Sequence, residues 1–309
     1  MRRALLLSLL AGMAQLALAA PTRAAERATV NRRTGLFEPP LSDLRKAAER
    51  GDRADLARAA GRLGPARLAK ALADPDRRLV LAALEAIPLL PAGLTVLEPI
   101  VPLLGATDPS VRERAVLAAA SLLGAGDADT LAEWDVPAET VGLACQALAT
   151  TAANESETVT TRLAAMQGQA DAAATCGGGF KPASLLASRV PDIRRAAVLA
   201  LPAEPAANAQ LLAAARDGDG RVAAAAGARL CSRKLRLPPG QPPLRQLALA
   251  AGAAPEDVID MLPCLATSKE TADQQVVADL RESGPTAIRD ALKNLTPAAP
   301  SPGKTADRR

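Results

Sequence analysis

Residues 108–124 read DPSVRERAVLAAASLLG, and this stretch decides the fold. Asp108 suits a helix N-cap, because its carboxylate can accept from the free amides of the first turn. Pro109 suits the first helical position, where its fixed φ is already helical and its missing amide costs nothing. Val111 and Ala115 are four residues apart and share one helix face. Three other segments repeat the arrangement. They are Asp74-Pro75-Asp76 followed by RRLVLAALEAI, Pro191-Asp192-Ile193-Arg194 followed by RAAVLALP, and Asp217-Gly218-Asp219-Gly220-Arg221-Val222 followed by AAAAGARL. Aligning Leu79, Val111, Ile193 and Val222 places Ala83, Ala115, Ala197 and Ala226 four residues later. The first two segments lie 32 residues apart and the last two 29, about the length of one two-helix unit. A hairpin with one apolar face cannot bury it alone, so such units must stack. Alanine in the shared frame lets neighbouring helices come close. No segment shows sustained alternation with β-branched residues, so strands are not expected.

The pattern resembles HEAT repeats, in which D-P-x-V-R-x-x-A-x-x-A-L opens the second helix of each hairpin. Asp108, Pro109, Val111, Arg112, Ala115 and Ala118 carry the resemblance, with Ile193, Arg194 and Ala197 as a second match. The resemblance implies an all-α, right-handed α-solenoid of stacked helical hairpins, with the second helices lining a concave face and disordered termini. It implies no particular enzyme. Some HEAT-like proteins are bilin lyases or metal-dependent hydroxylases, but this chain has no motif for the former and none of the histidines the latter need.

Around this frame, residues 1–24 are expected to be a signal peptide. Arg2 and Arg3 precede an apolar run from Leu5 to Leu18, and Ala17 and Ala19 form a small-residue cleavage signal, with a second at Ala24. An uncut anchor is the alternative, but the run is short of the roughly 20 residues that span a bilayer. Residues 25–40 are expected to be an extended N-terminal segment, 41–126 a first group of repeats, 127–182 an irregular helical hairpin holding Trp134, 183–295 a second group of repeats, and 296–309 a disordered tail. The location expected is periplasmic or extracellular.

The composition excludes whole classes of chemistry. Among 309 residues there is no histidine, no tyrosine, one tryptophan and two phenylalanines. Histidine-dependent triads and His-ligated metals are therefore impossible, and base-stacking platforms nearly so. The formal charge of +4 is terminal in origin. Arg2, Arg3 and Arg23 carry part of it, and Lys304, Arg308 and Arg309 against Asp307 the rest, so residues 25–300 are close to neutral. Nucleic acid loses its main electrostatic attraction. No catalytic, cofactor or metal residue is assigned. Gly177-Gly178-Gly179 lacks the remainder of a phosphate-loop motif and reads as a helix stop.

Four cysteines remain, Cys145, Cys176, Cys231 and Cys264, with no CxxC among them. An even count in an exported chain favours disulfides. The gaps of 31 and 33 residues are each about one repeat, so Cys145–Cys176 and Cys231–Cys264 is the simplest of three connectivities. Buried free thiols and a redox role are the alternatives. Arg112 and Arg194 allow two readings, a basic ridge for an acidic partner or pairing with aspartates along the stack. Arg189, Arg194 and Arg195, and Arg233, Lys234 and Arg236, form local basic clusters. The function expected is a non-enzymatic, monomeric scaffold or adaptor of the bacterial cell envelope that binds an unknown protein partner. The alternative is an envelope enzyme or accessory subunit with a site in 127–182.

Overall fold

A computed structural model describes residues 41–295, apart from 127 and 178. The expected signal peptide of 1–24, extended segment of 25–40 and disordered tail of 296–309 lie outside the described residues, which contain helices and no strand. The α-helices are α1 (Leu41–Arg50), α2 (Arg53–Leu63), α3 (Pro65–Ala71), α4 (Arg77–Ala86), α5 (Leu97–Ile100), α6 (Pro109–Ala125), α7 (Ala128–Glu133) and α8 (Ala138–Ala153). They continue as α9 (Val159–Asp171), α10 (Pro191–Ala200), α11 (Ala206–Ala214), α12 (Gly220–Ser232), α13 (Leu244–Ala248), α14 (Pro255–Thr267), α15 (Thr271–Ser283) and α16 (Thr286–Asn294). Short 3-10 turns at Ile87–Leu89, Gly93–Val96, Val101–Gly105 and Pro182–Ala187 complete the order.

The helix starts follow from local chemistry. Asp108 caps α6 by accepting from the amides of Ser110 and Val111, and Pro109 takes the first helical position. Asp52, Asp76 and Asp219 cap α2, α4 and α12 in the same way, and Thr158 caps α9 through Thr161 N. Each such cap contributes about 1 kcal/mol. Counting from the cap, the third and seventh helical residues fall on the buried face. Leu79 and Ala83, Val111 and Ala115, Ile193 and Ala197, and Val222 and Ala226 are all buried.

Eight helices form a ladder. Each of α1, α4, α6, α9, α10, α12, α14 and α16 packs on the next in that order. The intervening elements form a second layer. The helices α2 and α3 cover α1 and α4, α8 pairs with α9, α11 with α12, and α15 lies against α14 and α16. Small residues set the ladder's closest contact. A Cβ on Gly168 of α9 would stand 2.7 Å from Ala120 Cα of α6, and closer still to Ala120 Cβ. The buried side chains form two clusters, from Leu44 to Ala197 and from Val198 to Leu292, and α10 contributes to both. Helix α12 is enclosed along its middle, with Ala223 to Ala228 all buried, and carries Arg221 and Arg229 towards its two ends.

The hairpin α8–α9 is more regular than its sequence suggests. The reading of 127–182 as irregular rested on a missing Asp-Pro start. Thr158 supplies the cap instead, and Thr161 and Ala165 fill the two buried positions at 1% and 0% exposure. The irregularity lies before it. At the end of α7, Asp135 adopts left-handed backbone (φ 49°), Asp135 N donates to Ala132 O at 3.2 Å, and Val136 N donates to Leu131 O at 3.0 Å. These two bonds make a Schellman turn.

Candidate functional site

The repeat-signature residues are consumed by the ladder itself. Arg112 donates through Nε to Glu157 Oε1 at 2.7 Å and through Nη1 to the Ala106 carbonyl. Arg194 grips both carboxylate oxygens of Asp217 at 2.8 Å and donates to Ser188 O at 2.9 Å. In both cases the carbonyl lies six residues upstream, and the carboxylate stands beside the cap of the next ladder helix. Arg112 thus pairs with a glutamate where an aspartate was one of the two expectations. The bidentate grip holds the Asp217 carboxyl below its ordinary range and raises Arg194. Further pairs tie helix starts together, with Arg45 on Asp76 at 3.1 Å, Arg77 on Asp108 at 2.5 Å and Arg221 on Asp192 at 2.7 Å.

A third arginine occupies the same register and was not legible as such. Arg162, four residues after the Thr158 cap, is 3% exposed and donates through Nε to Ala152 O at 3.0 Å. The signal was the spacing Thr158, Thr161, Arg162, Ala165, hidden by a cap other than Asp-Pro.

Of the basic clusters read from the sequence, Arg194, Arg195 and Arg233 are engaged inside the fold, whereas Arg189, Lys234 and Arg236 are exposed. Arg195 crosses from α10 to α14, the two helices flanking α12, where it meets Asp257 Oδ2 at 2.8 Å and Glu256 Oε1 at 3.2 Å. Asp257 is 2% exposed and sits at the third position after its helix start, which Leu79, Val111, Ile193 and Val222 fill elsewhere. Burial pushes its carboxyl upward, Arg195 opposes that shift, and the neighbouring acids Glu256 and Asp260 add to it. Arg233 donates to the carbonyls of Leu201 at 2.9 Å and Pro202 at 2.7 Å and to Asn208 Oδ1 at 3.1 Å, closing the C-terminal end of α10. Burial and the neighbouring Arg229 lower its pKa.

Both cysteine pairs are joined as disulfides, Cys145–Cys176 with Cα atoms 5.6 Å apart and Cys231–Cys264 with Cα atoms 5.9 Å apart. Their settings differ. Cys231 and Cys264 lie on the successive ladder helices α12 and α14, but at different registers, twelve and ten residues after their caps Asp219 and Ala254. Cys145 and Cys176 instead lie within one hairpin, on α8 and in the turn that follows α9. That chain reverses direction, so one repeat length returns it beside its own partner helix.

Each disulfide borders a cleft. The one at Cys145–Cys176 holds about 600 Å³ between the end of α7, one face of α8 and the turn after α9. The one at Cys231–Cys264 holds about 1520 Å³ and mixes apolar residues with Lys234, Arg236, Asp260 and Glu270. Trp134 packs half-buried against the core beside the first. Among the described residues, no group of three or more Cys, Asp or Glu side chains could hold a metal ion, and no helix is long and apolar enough to cross a membrane.

The exposed ladder face carries two matched leucines. Leu117 on α6 and Leu199 on α10 both stand nine residues after the cap, at 37% and 39% exposure.

No protein-family model matches the chain, and no curated protein matches it at a significant level. A solved structure of an engineered protein aligns at 17% identity over 81% of this chain and 97% of that one, with a TM-score of 0.33, too low to carry an argument.

Proposed function

We propose that the chain is an exported HEAT-like α-solenoid that acts as a non-enzymatic scaffold, presenting one face of its helical ladder to a protein partner. The parallel register of the ladder helices supports the solenoid reading, because stacked repeats bring equivalent residues side by side. The two disulfides and the basic, then apolar start of the sequence support export.

The observation that carries the reading is the contrast on the ladder. The signature arginines Arg112, Arg162 and Arg194 are spent on internal bonds, whereas Leu117 and Leu199 are left outside at one shared register. Single exposed leucines are ordinary on any surface; here two stand at the same register of two ladder helices.

A photo-crosslinking amino acid at position 117 or 199, introduced in cells of an expressing host of origin, tests this. Both positions are expected to yield the same discrete adduct, and position 249, where Leu249 is 60% exposed, is not. Equal yields at all three positions would overturn the reading.

A further inference from the structure

The larger cleft, beside Cys231–Cys264, has features that the ladder-face contact leaves unused. It lies between the loop that follows α12 and helix α14. At about 1520 Å³ it exceeds the range of roughly 300 to 1,000 Å³ usual for small-molecule sites. One wall is the non-helical stretch 235–238. Exposure alternates along it: Lys234, Arg236 and Pro238 are exposed, whereas Leu235 and Leu237 are half-buried against the core. A period of two is the pattern of an extended strand with one side turned inward. Among the described residues, the amides of Arg236 and Leu237 donate to nothing.

The wall is anchored at both ends. The amides of Lys234 and Leu235 close α12 on Cys231 O at 2.8 Å and Leu230 O at 3.0 Å. Beyond the stretch, Arg216 Nη2 donates to Gly240 O at 3.1 Å, and Pro238, Pro239, Pro242 and Pro243 restrict backbone rotation. The strand-like wall is therefore set before anything binds, which lowers the cost of pairing with it.

Two observations point to the occupant. The first is charge. Lys234, Arg236 and Lys269 line the cleft, are exposed, and have no acid partner among the described residues. Of the lining acids, Glu270 and Asp273 both accept from Arg245, at 2.6 and 3.0 Å, which leaves Asp260 without a described cation. The free charge at the cleft is thus positive, in a chain whose residues 25–300 are close to neutral. The second is Gln241, a lining residue whose Oε1 is buried and accepts no hydrogen bond among the described residues. A buried acceptor is costly unless something donates to it.

We infer that this cleft docks an extended segment of a partner protein in which acidic side chains alternate with apolar ones. The segment's backbone pairs with the free main-chain groups of the wall, as an added strand pairs with a sheet edge. Its apolar side chains turn inward towards Leu244 and Ile259, its acids meet Lys234, Arg236 and Lys269, and one of its N–H groups reaches Gln241 Oε1. The inference rests on the scaffold reading only in taking a protein as the partner, since Leu117 and Leu199 play no part in it.

A random heptapeptide library displayed on phage, panned on the immobilised full chain in its oxidised form, tests this. The enriched peptides are expected to alternate Asp or Glu with Leu, Ile or Val, and the synthetic consensus peptide to bind one-to-one by fluorescence anisotropy. Arg236→Glu/Lys269→Glu reverses two exposed, unpaired cations and is expected to weaken that peptide about tenfold at unchanged unfolding temperature. Should the double variant fold poorly, Lys234→Gly suits the left-handed backbone there (φ 55°) and is expected to weaken the peptide about threefold. N-methylation of alternate peptide amides removes main-chain donors and is expected to abolish binding. Leu117→Ser/Leu199→Ser is expected to leave binding unchanged, so failure of the ladder-face contact and failure of this docking are read separately. Enrichment of basic or wholly apolar peptides, no enrichment, full affinity in a folded charge variant, or undiminished binding of the N-methylated peptide would each overturn the proposal. So would charge-dependent binding of phosphatidylglycerol vesicles or single-stranded RNA in the absence of peptide binding.

Discussion

Replacing Gly168 with alanine is expected to destabilise the protein by about 2 kcal/mol, whereas the same change at Gly142, in the partner helix of the same hairpin, is expected to stabilise it. At Gly168 the new methyl group would lie 2.7 Å from Ala120 Cα, which is backbone and cannot swing aside. The helices α6 and α9 must then separate along a shared buried face that includes Ala119 and Ala165. Overpacking of this kind costs about 1–3 kcal/mol, and a clash with backbone belongs at the upper end. Alanine returns about 1 kcal/mol in helix propensity, leaving a net loss of about 2 kcal/mol. At Gly142 the clash is absent and only the gain of about 0.5–1 kcal/mol remains. For a chain of this size each kcal/mol moves the midpoint by about 2–4 °C. Thermal unfolding of the oxidised protein, followed by far-UV circular dichroism, should therefore show Gly168→Ala about 4–8 °C below the parent and Gly142→Ala slightly above it. A neutral or stabilising Gly168→Ala would refute the claim that α6 and α9 touch through backbone at this point. A destabilising Gly142→Ala would refute the claim that α8 faces open space.

The second disulfide closes a 33-residue separation between adjacent ladder helices, so Cys231→Ala/Cys264→Ala is expected to lose about 3–4 kcal/mol in urea unfolding on chain-entropy grounds. Non-reducing peptide mapping that found Cys176 joined to Cys231 would remove the basis for that figure. Two carboxyls should respond to acid with opposite sign. Asp217 is held below its ordinary value of 3.8, so its pairing with Arg194 is intact above that value and lost as pH falls through the lower folded one; the advantage of the parent over Asp217→Asn should shrink below about pH 3.8. Asp257 is pushed above 3.8, so the folded state takes its proton first, and the parent should gain on Asp257→Asn as pH falls from neutral towards 3.8. A parallel pH dependence of the two differences would contradict the burial of Asp257 at a core position.

The separate behaviour of particular residues shows where sequence reasoning reached and where it ended. The cap at Asp108 and the buried frame of Val111 and Ala115 were legible, because an N-cap and an i, i+4 face depend only on near neighbours along the chain. The same frame at Thr158, Thr161 and Ala165 was missed for want of an aspartate and a proline, although the physics of the cap is the same. The cysteine pairs could be anticipated from spacing, but not that one joins successive ladder helices and the other the two arms of a single hairpin.

What the sequence alone determined is therefore local and compositional. Without histidine or tyrosine the chemistry that needs an imidazole or a phenol is out of reach, and regular caps and alanine frames favour helices. Tertiary structure decided everything that depends on partners distant in sequence. Arg195 and Asp257 are 62 residues apart and meet only because α10 and α14 flank α12. Gly142 and Gly168 are the same residue in adjacent helices, yet one borders open space and the other touches backbone. A side chain's identity sets what it can do, but burial, pairing and cavities are properties of what stands opposite it. That is fixed only when the helices pack.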